Sequence, residues 1–490
     1  MVLVPEIVLT PQMMRKFSSY FGSRVAMLHS SLKMTERYDQ WKRIRRGEVD
    51  VVLGTRSALF APLKNLGLII MDEEQEGSYQ SENVPRYDAR EVAKYLCVRE
   101  KAALVFGSAT PTVETAWAVE QGSYQKALLR RRYNENALPE VLIADLRQEI
   151  LNGNPGLIST PLRQELEKNL AAGEQSILFL NRRGSSRMLL CGECGEVPEC
   201  PRCSVPMTYH SANGRLMCHY CGHSEPAYDR CPQCGGIMKH IGTGTQKVEE
   251  ELHALFPGAK VLRMDTDTVG ASHGHEKILR QFEEEKIPIL LGTQMVAKGL
   301  DFENVTLVGV LCADVSLYID NYRAPERTFS LLSQVVGRAG RGSKQGRAII
   351  QTFTPENEVI RAAAAQDYDA FYESEIRMRR LRRYPPFADL FSFTVTGADE
   401  SRVIRAAKAL RDALGYAVER REELKPLSIE VLGPAGASVV KVNNRYRYRV
   451  FLVGKGCPAL RRLVAEYLYA FYQHKENRGL DIFADCNAIQ

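Results

Sequence analysis

Two groups of residues in this sequence are spaced for chemistry: acids that close an apolar run, and cysteines that come in pairs. Asp72-Glu73-Glu74 follows LGLIIM, and carboxylates at the end of a buried strand are costly to desolvate unless something positive meets them. The Mg²⁺ of a bound nucleotide would do so, with Asp72 holding the metal through water and Glu73 polarising the water that attacks the γ-phosphate. Arg338 and Arg341, in QVVGRAGRG from Gln334 to Gly342, offer planar guanidinium forks of the kind that stabilise charge on a phosphoryl group in transfer.

Eight of the twelve cysteines form four C-x-x-C pairs: Cys191/Cys194, Cys200/Cys203, Cys218/Cys221 and Cys231/Cys234. Each pair can present two thiolates to one metal, and two pairs close a tetrahedral Cys₄ site. Eight therefore imply two Zn²⁺ with no position left for water, so a structural role is expected and catalysis is not. Four pairs can combine in three ways. Spacing favours joining Cys200/Cys203 with Cys218/Cys221 across a loop of hairpin length, which leaves the outer pairs to join each other. About forty residues cannot build a sufficient hydrophobic core, and metal replaces it. His210, His219 and His223 are weaker ligand candidates than eight evenly paired thiols.

The elements that must position these groups are legible as apolar runs. VDVVLGT, LGLIIMDEE and ALVFGSAT, then QSILFLNRRG, IPILLGT, VTLVGVL and RAIIQTF, are apolar at nearly every position, as parallel strands covered on both faces are. Their polar residues come just after each run, where ligands bind in open α/β sheets. The cysteines interrupt the second set. RMRRLRRYPPF ends it, because consecutive prolines cannot continue a helix, and the pattern beyond suggests a small α+β domain. In that domain Arg445, Arg447 and Arg449 alternate with Tyr446 and Tyr448, so on a strand the arginines share a face that could follow a phosphate backbone, or could belong to a half-buried edge strand.

With 44% hydrophobic and 25% charged residues among 490, the chain reads as several globular units. No run reaches the roughly 20 apolar residues of a membrane span, and MVLVPEIVLT lacks the flank and cleavage site of a leader. A cytoplasmic address is the default. The net charge of +6 is too mild to establish a nucleic-acid partner by itself.

DEE followed by Gly107-Ser108-Ala109-Thr110-Pro111 resembles motifs II and III of superfamily 2 helicases. GTQMVAKGLDF (292–302) resembles motif V and QVVGRAGRG motif VI. Together with VLVPEIVLTPQ, LHSSL…ERYDQW, GTRSALFAPLKNLGLIIMDEE and the eight-cysteine insert, the chain resembles the PriA-type replication restart helicases over essentially its whole length. The resemblance implies an α/β fold of two RecA-like lobes, with a two-zinc module inserted in the second and a small C-terminal α+β domain. The expected boundaries are 1–135 for lobe 1, 136–190 and 237–384 for lobe 2, 191–236 for the insert and 385–490 for the last domain. It also implies ATP with Mg²⁺ contacted by Gln75, Gly299, Asp301 and Gln334, the same nested zinc pairing, and 3′ to 5′ movement on DNA at stalled forks to reload the replicative helicase. Its implied partners are branched and single-stranded DNA, primosome proteins and single-strand binding protein. Ser78 to Glu91 resembles the family's aromatic-rich loop that couples DNA to the ATP site, which makes Tyr79, Arg86 and Tyr87 candidate contacts.

The sequence departs from the family's pattern twice. Gln75 stands where the family usually has His, and can still hydrogen-bond across the cleft. No G-x-x-x-x-G-K-[ST] occurs; the family places that loop just before the strand with which this chain begins. An N-terminally truncated helicase is the expectation, and a non-hydrolysing DNA-binding and primosome-assembly scaffold is the alternative.

Overall fold

A computed structural model describes residues 1–5, 11–30, 32–83, 85–129, 138–180, 188–210, 213–241, 244–264, 274–293, 302–340 and 344–487. The chain divides into two compact units, Met1–Lys126 and Ala127–Ala488.

In the first unit, β1 (Val2–Leu3), β2 (Val25–Leu28), β3 (Val51–Gly54), β4 (Leu68–Asp72) and β5 (Ala103–Gly107) form a parallel sheet in the order β2-β3-β1-β4-β5. Leu3, Val52, Ile69 and Met71 pack with Ile44 of the helix Met34–Arg46 and with Ala89 and Ala93 of the helix Ala89–Glu100. The second helix starts where the Asp88 side chain accepts from the Arg90 amide, an N-cap that satisfies one orphan donor. The sheet puts Asp72 and Gly107 in register at the carboxyl ends of β4 and β5. β5 is an edge strand, and its Val105 is 46% exposed.

The second unit begins with β6 (Glu140–Asp145) and β7 (Gln175–Phe179). The insert then contributes β8 (Met188–Cys191), β9 (Thr208–His210), β10 (Arg215–Met217), β11 (Ser224–Pro226) and β12 (Met238–Ile241), with β8 and β12 pairing antiparallel as its stem. The chain returns through β13 (Val261–Met264), β14 (Ile289–Gly292), β15 (Val305–Val310) and β16 (Arg347–Thr352). These join β6 and β7 in a six-stranded parallel sheet, β13-β14-β7-β15-β16-β6. β7, β14 and β15 are buried at every position, which is why their sequences run apolar without alternation. All seven apolar runs are strands. The runs do not single out β1, β2, β6 or β13, which are shorter or partly exposed.

The last four strands, β17 (Asp389–Gly397), β18 (Glu430–Val442), β19 (Arg445–Gly454) and β20 (Asp481–Cys486), form an antiparallel sheet in the order β18-β19-β17-β20. Because side chains alternate across a strand, the sheet serves two cores. Phe391, Phe393, Val450 and Leu452 face the helices Glu400–Arg420 and Pro458–Gln473. Leu390, Phe451 and Val453 instead pack with Val205, Leu216 and Tyr220 of the cysteine insert, where Tyr220 stacks on Phe451 with ring centroids 5.3 Å apart. The C-terminal sheet and the insert therefore share a hydrophobic core. Of the basic run before the proline pair, Arg379 is not a surface charge: it is 1% exposed and donates to Glu375 (2.8 Å), Glu326 (3.0 Å) and the Pro385 carbonyl (3.2 Å).

Candidate nucleotide and metal sites

The three acids after β4 lie in different surroundings. Asp72 is exposed and accepts from the Glu73 amide at 3.0 Å. Glu73 sits at φ 48, a left-handed conformation that costs a non-glycine residue about 1–2 kcal/mol. Its carboxylate accepts from Gln75 Nε2 at 2.6 Å, and Gln75 Oε1 accepts from Ser108 Oγ at 2.5 Å. The acid loop and the GSATP segment after β5 are thus joined by a chain of two hydrogen bonds. Glu74 has no exposed surface and accepts from the Thr112 amide at 2.7 Å and the Thr112 hydroxyl at 3.3 Å. Thr112 is itself the N-cap of the helix Val113–Glu120, so the third acid fixes where that helix begins. Arg90, 3.9 Å from Glu74 and 2.6 Å from Asp88, balances the buried charge.

Tyr79 requires a correction as a DNA contact. Its ring is 1% exposed, and its hydroxyl donates toward the carbonyls of Asp72 (2.7 Å) and Leu3 (3.0 Å), so it is a core residue that holds the acid loop against β1. Burial first, and the nearby Asp72 second, push its ionisation far above the ordinary tyrosine range. Arg86 and Tyr87 are half-buried, and Tyr87 meets Phe60 edge-on at 5.2 Å. Arg56 ties the same loop down by donating to the carbonyls of Ser78 and Gln80, both at 2.8 Å.

In the second unit, Gln334 lies in the last turn of the helix Ala324–Val336 and Arg338 just beyond it, both half-buried. Gly340 turns the chain at φ 68, and a Cβ there would fall 2.2 Å from the Gly346 amide nitrogen. The second glycine of GRAG is therefore demanded by a backbone crossing. Arg341, Gly299 and Asp301 lie outside the described residues.

The C-terminal arginines differ from the edge-strand expectation, because β19 is paired on both sides. Arg445 bonds Thr396 and Asp481, and Arg447 donates to the Val439 carbonyl at 2.8 Å. Both guanidiniums are engaged within the sheet. Tyr446 and Tyr448 face the helices on the other side.

The eight paired thiols gather as two groups, Cys191/Cys194/Cys231/Cys234 and Cys200/Cys203/Cys218/Cys221, with the sulfurs of each group within 4.8 Å of one another. The closest S···S distances are 3.5, 3.7 and 3.6 Å, near the roughly 3.8 Å edge of a tetrahedron with zinc–sulfur bonds of about 2.3 Å. The donor set and its shape fit two structural zinc ions. Each pair is followed by a residue at positive φ: Gly195 (79), Ser204 (50), Gly222 (77) and Gly235 (76). In all four the amide of that residue donates to the carbonyl of the pair's first cysteine, at 2.8–3.0 Å. The amides of Glu193, His223 and Gly236 also point at cysteine sulfurs, at 3.4 Å each, which favours the thiolate form. The histidines of the insert stay outside both groups; His219 bonds the Gly436 carbonyl through Nδ1 and His210 through Nε2. The knuckles closed by Gly195 and Gly222 abut different neighbours. A Cβ at Gly195 would lie 2.6 Å from the Phe353 carbonyl oxygen, and one at Gly222 2.8 Å from that of Pro434.

Family models match in four places: DEAD/DEAH box helicase over residues 1–118, helicase conserved C-terminal domain over 241–343, PriA DNA helicase Cys-rich region over 200–226, and primosomal protein N C-terminal domain over 380–487. The replication restart protein PriA of Treponema pallidum (strain Nichols) is 41% identical over 470 residues, covering 96% of this chain and 70% of that protein. The chain belongs to the PriA family. The PriA of Bacillus subtilis (strain 168) is 45% identical over 487 residues, and the chain spans 99% of itself but 60% of that relative's length. Among solved structures, Saccharomyces cerevisiae Dbp5 bound to RNA and ADP BeF3 is 13% identical, with 78% of this chain and 80% of that one covered at a TM-score of 0.42. The two RecA-like lobes of this chain are identified by the helicase family models and their parallel sheets.

Motif reasoning from sequence did not find Glu74 or Arg90 as the buried link between the acid loop and the next helix. The signal available was the third acid in a row, which a metal and a water do not both require.

Proposed function

We propose that this chain is the motor and zinc portion of an ATP-driven DNA helicase that moves 3′ to 5′, recognises stalled forks and promotes reloading of the replicative helicase. The observation that carries the reading is the Glu73–Gln75–Ser108 chain, which links an acid placed to activate water to the segment after the neighbouring strand. Asp72 would hold Mg²⁺ through water, Glu73 would orient the attacking water, and Arg338, with Arg341, would answer charge on the γ-phosphate. Gln75, Gly299, Asp301 and Gln334 complete the proposed nucleotide contacts. A loop that cradles the phosphates would lie across the end of β5 from Asp72 if its strand paired with the open edge of β5. Arg86 and Tyr87 remain proposed DNA contacts, and single-strand binding protein and primosome proteins the proposed partners, in the cytoplasm. The partition at 135, 190, 236 and 384 is retained as the proposed domain division.

The test is DNA-stimulated ATP hydrolysis by the 490-residue chain beside Glu73→Gln, with zinc measured on the same preparations. Hydrolysis that falls at least a hundredfold in the variant while both keep two zincs is the expected result. Equal rates would remove Glu73 from its proposed role, and DNA binding with no hydrolysis in either would favour the scaffold reading.

A further inference from the structure

Where three elements of the second unit meet, a guanidinium with no protein partner lies close to a carboxylate that has a partner on one oxygen only. Arg449 on β19 is 9% exposed, and among the described residues no hydrogen bond or ion pair reaches its guanidinium. Asp320, in the turn before the helix Ala324–Val336, accepts the His219 amide on Oδ2 at 2.8 Å, while its buried Oδ1 has no partner. Both groups line one cavity, whose walls include His219 and Tyr220 of the inner zinc knuckle and Ser392 of the C-terminal sheet. Leaving the buried Asp320 oxygen unsatisfied costs more than one ordinary hydrogen bond returns, and the Arg449 guanidinium opens onto the same cavity, so a small ligand that meets both is called for.

Size and charge select that ligand. The cavity gives the centre of a water molecule about 30 Å³ to occupy, against roughly 10–15 Å³ for a single water. The charged side chains that act most strongly on Arg449 are two acids, Asp485 and Asp320, and one further arginine, Arg447. With Asp320 in the cavity wall and Asp485 acting on the same guanidinium, the acids oppose entry of an anion. We propose that this cavity holds ordered water, about two molecules, that carries hydrogen bonds from Arg449 to Asp320 and fastens the C-terminal sheet to the zinc knuckle and lobe 2.

In the zinc-loaded 490-residue chain, Arg449→Met and Asp320→Asn should each speed amide hydrogen exchange in β19 and in the Cys218–Gly222 knuckle by about tenfold. The double variant should exchange no faster than the worse single one, because each substitution already breaks the same bridge. Effects that multiply in the double variant would overturn the proposal. A high-resolution crystal structure of the unaltered chain, grown with and without phosphate, gives an answer that does not depend on the variants folding. Waters touching both Arg449 and Asp320 in both crystals support the bridge; phosphate or chloride seated on Arg449, or a direct contact between the two side chains, refutes it.

Discussion

At Glu74 a carboxylate with no exposed surface meets the amide and hydroxyl of Thr112 and the guanidinium of Arg90. Removing one member of such a buried set leaves the others desolvated and unpaired, and typically costs about 3–5 kcal/mol. Glu74→Ala should therefore destabilise the first unit by that order in denaturant titrations. A loss below about 1 kcal/mol would mean water replaces the carboxylate without strain. Glu73, one residue earlier, keeps its carboxylate half-exposed, so Glu73→Gln should affect hydrolysis and leave stability nearly unchanged. A sequence shows three acids in a row; only the fold shows which of them turns inward.

The four zinc knuckles use the same turn, yet Ser204 occupies at φ 50 a position that three glycines fill elsewhere. A side chain there is strained, so Ser204→Gly should raise the stability of the inner zinc site by roughly 0.5–1 kcal/mol, partly offset by the freedom glycine gains when unfolded. Gly222→Ala should do the opposite and more strongly, because its methyl would strike the Pro434 carbonyl. Competition with a chromophoric chelator reads both. For Cys200→Ser, the shared core sets the expectation: zinc content should fall from two to about one, and Leu390, Phe451 and Val453 should lose their cover, loosening the C-terminal sheet as well as the insert. Protection of β17 and β19 unchanged in hydrogen exchange would show that the sheet holds its own shape. Spacing favours, among three possible pairings, the one in which the sulfurs gather. It could not reveal that the other wall of their core comes from β17 and β19.

Across the whole molecule, the strands most legible in the sequence are those buried on both sides. β7, β14 and β15 announce themselves because every residue faces a helix layer. Tyr79 was misjudged because aromatic and basic residues in a loop look the same whether they wait for a nucleobase or anchor the loop, and only the carbonyls of Leu3 and Asp72 decide it. Arg445 and Arg447 share a face that could follow a phosphate backbone, and alternation shows which residues share that face but not the Thr396, Asp481 and Val439 groups that they meet there.

The shared core of insert and C-terminal sheet also has a consequence in time. Tyr220 leaves the ribosome some 230 residues ahead of Phe451, the ring on which it stacks, an interval of roughly 12–45 seconds at the usual pace of about 5–20 residues per second. For that interval the knuckles have thiols to fill and an apolar face with nothing to rest on. Metal that arrives early would leave a folded module waiting for its second wall; metal that arrives late would meet a nascent chain already free to pair its thiols with the wrong partners.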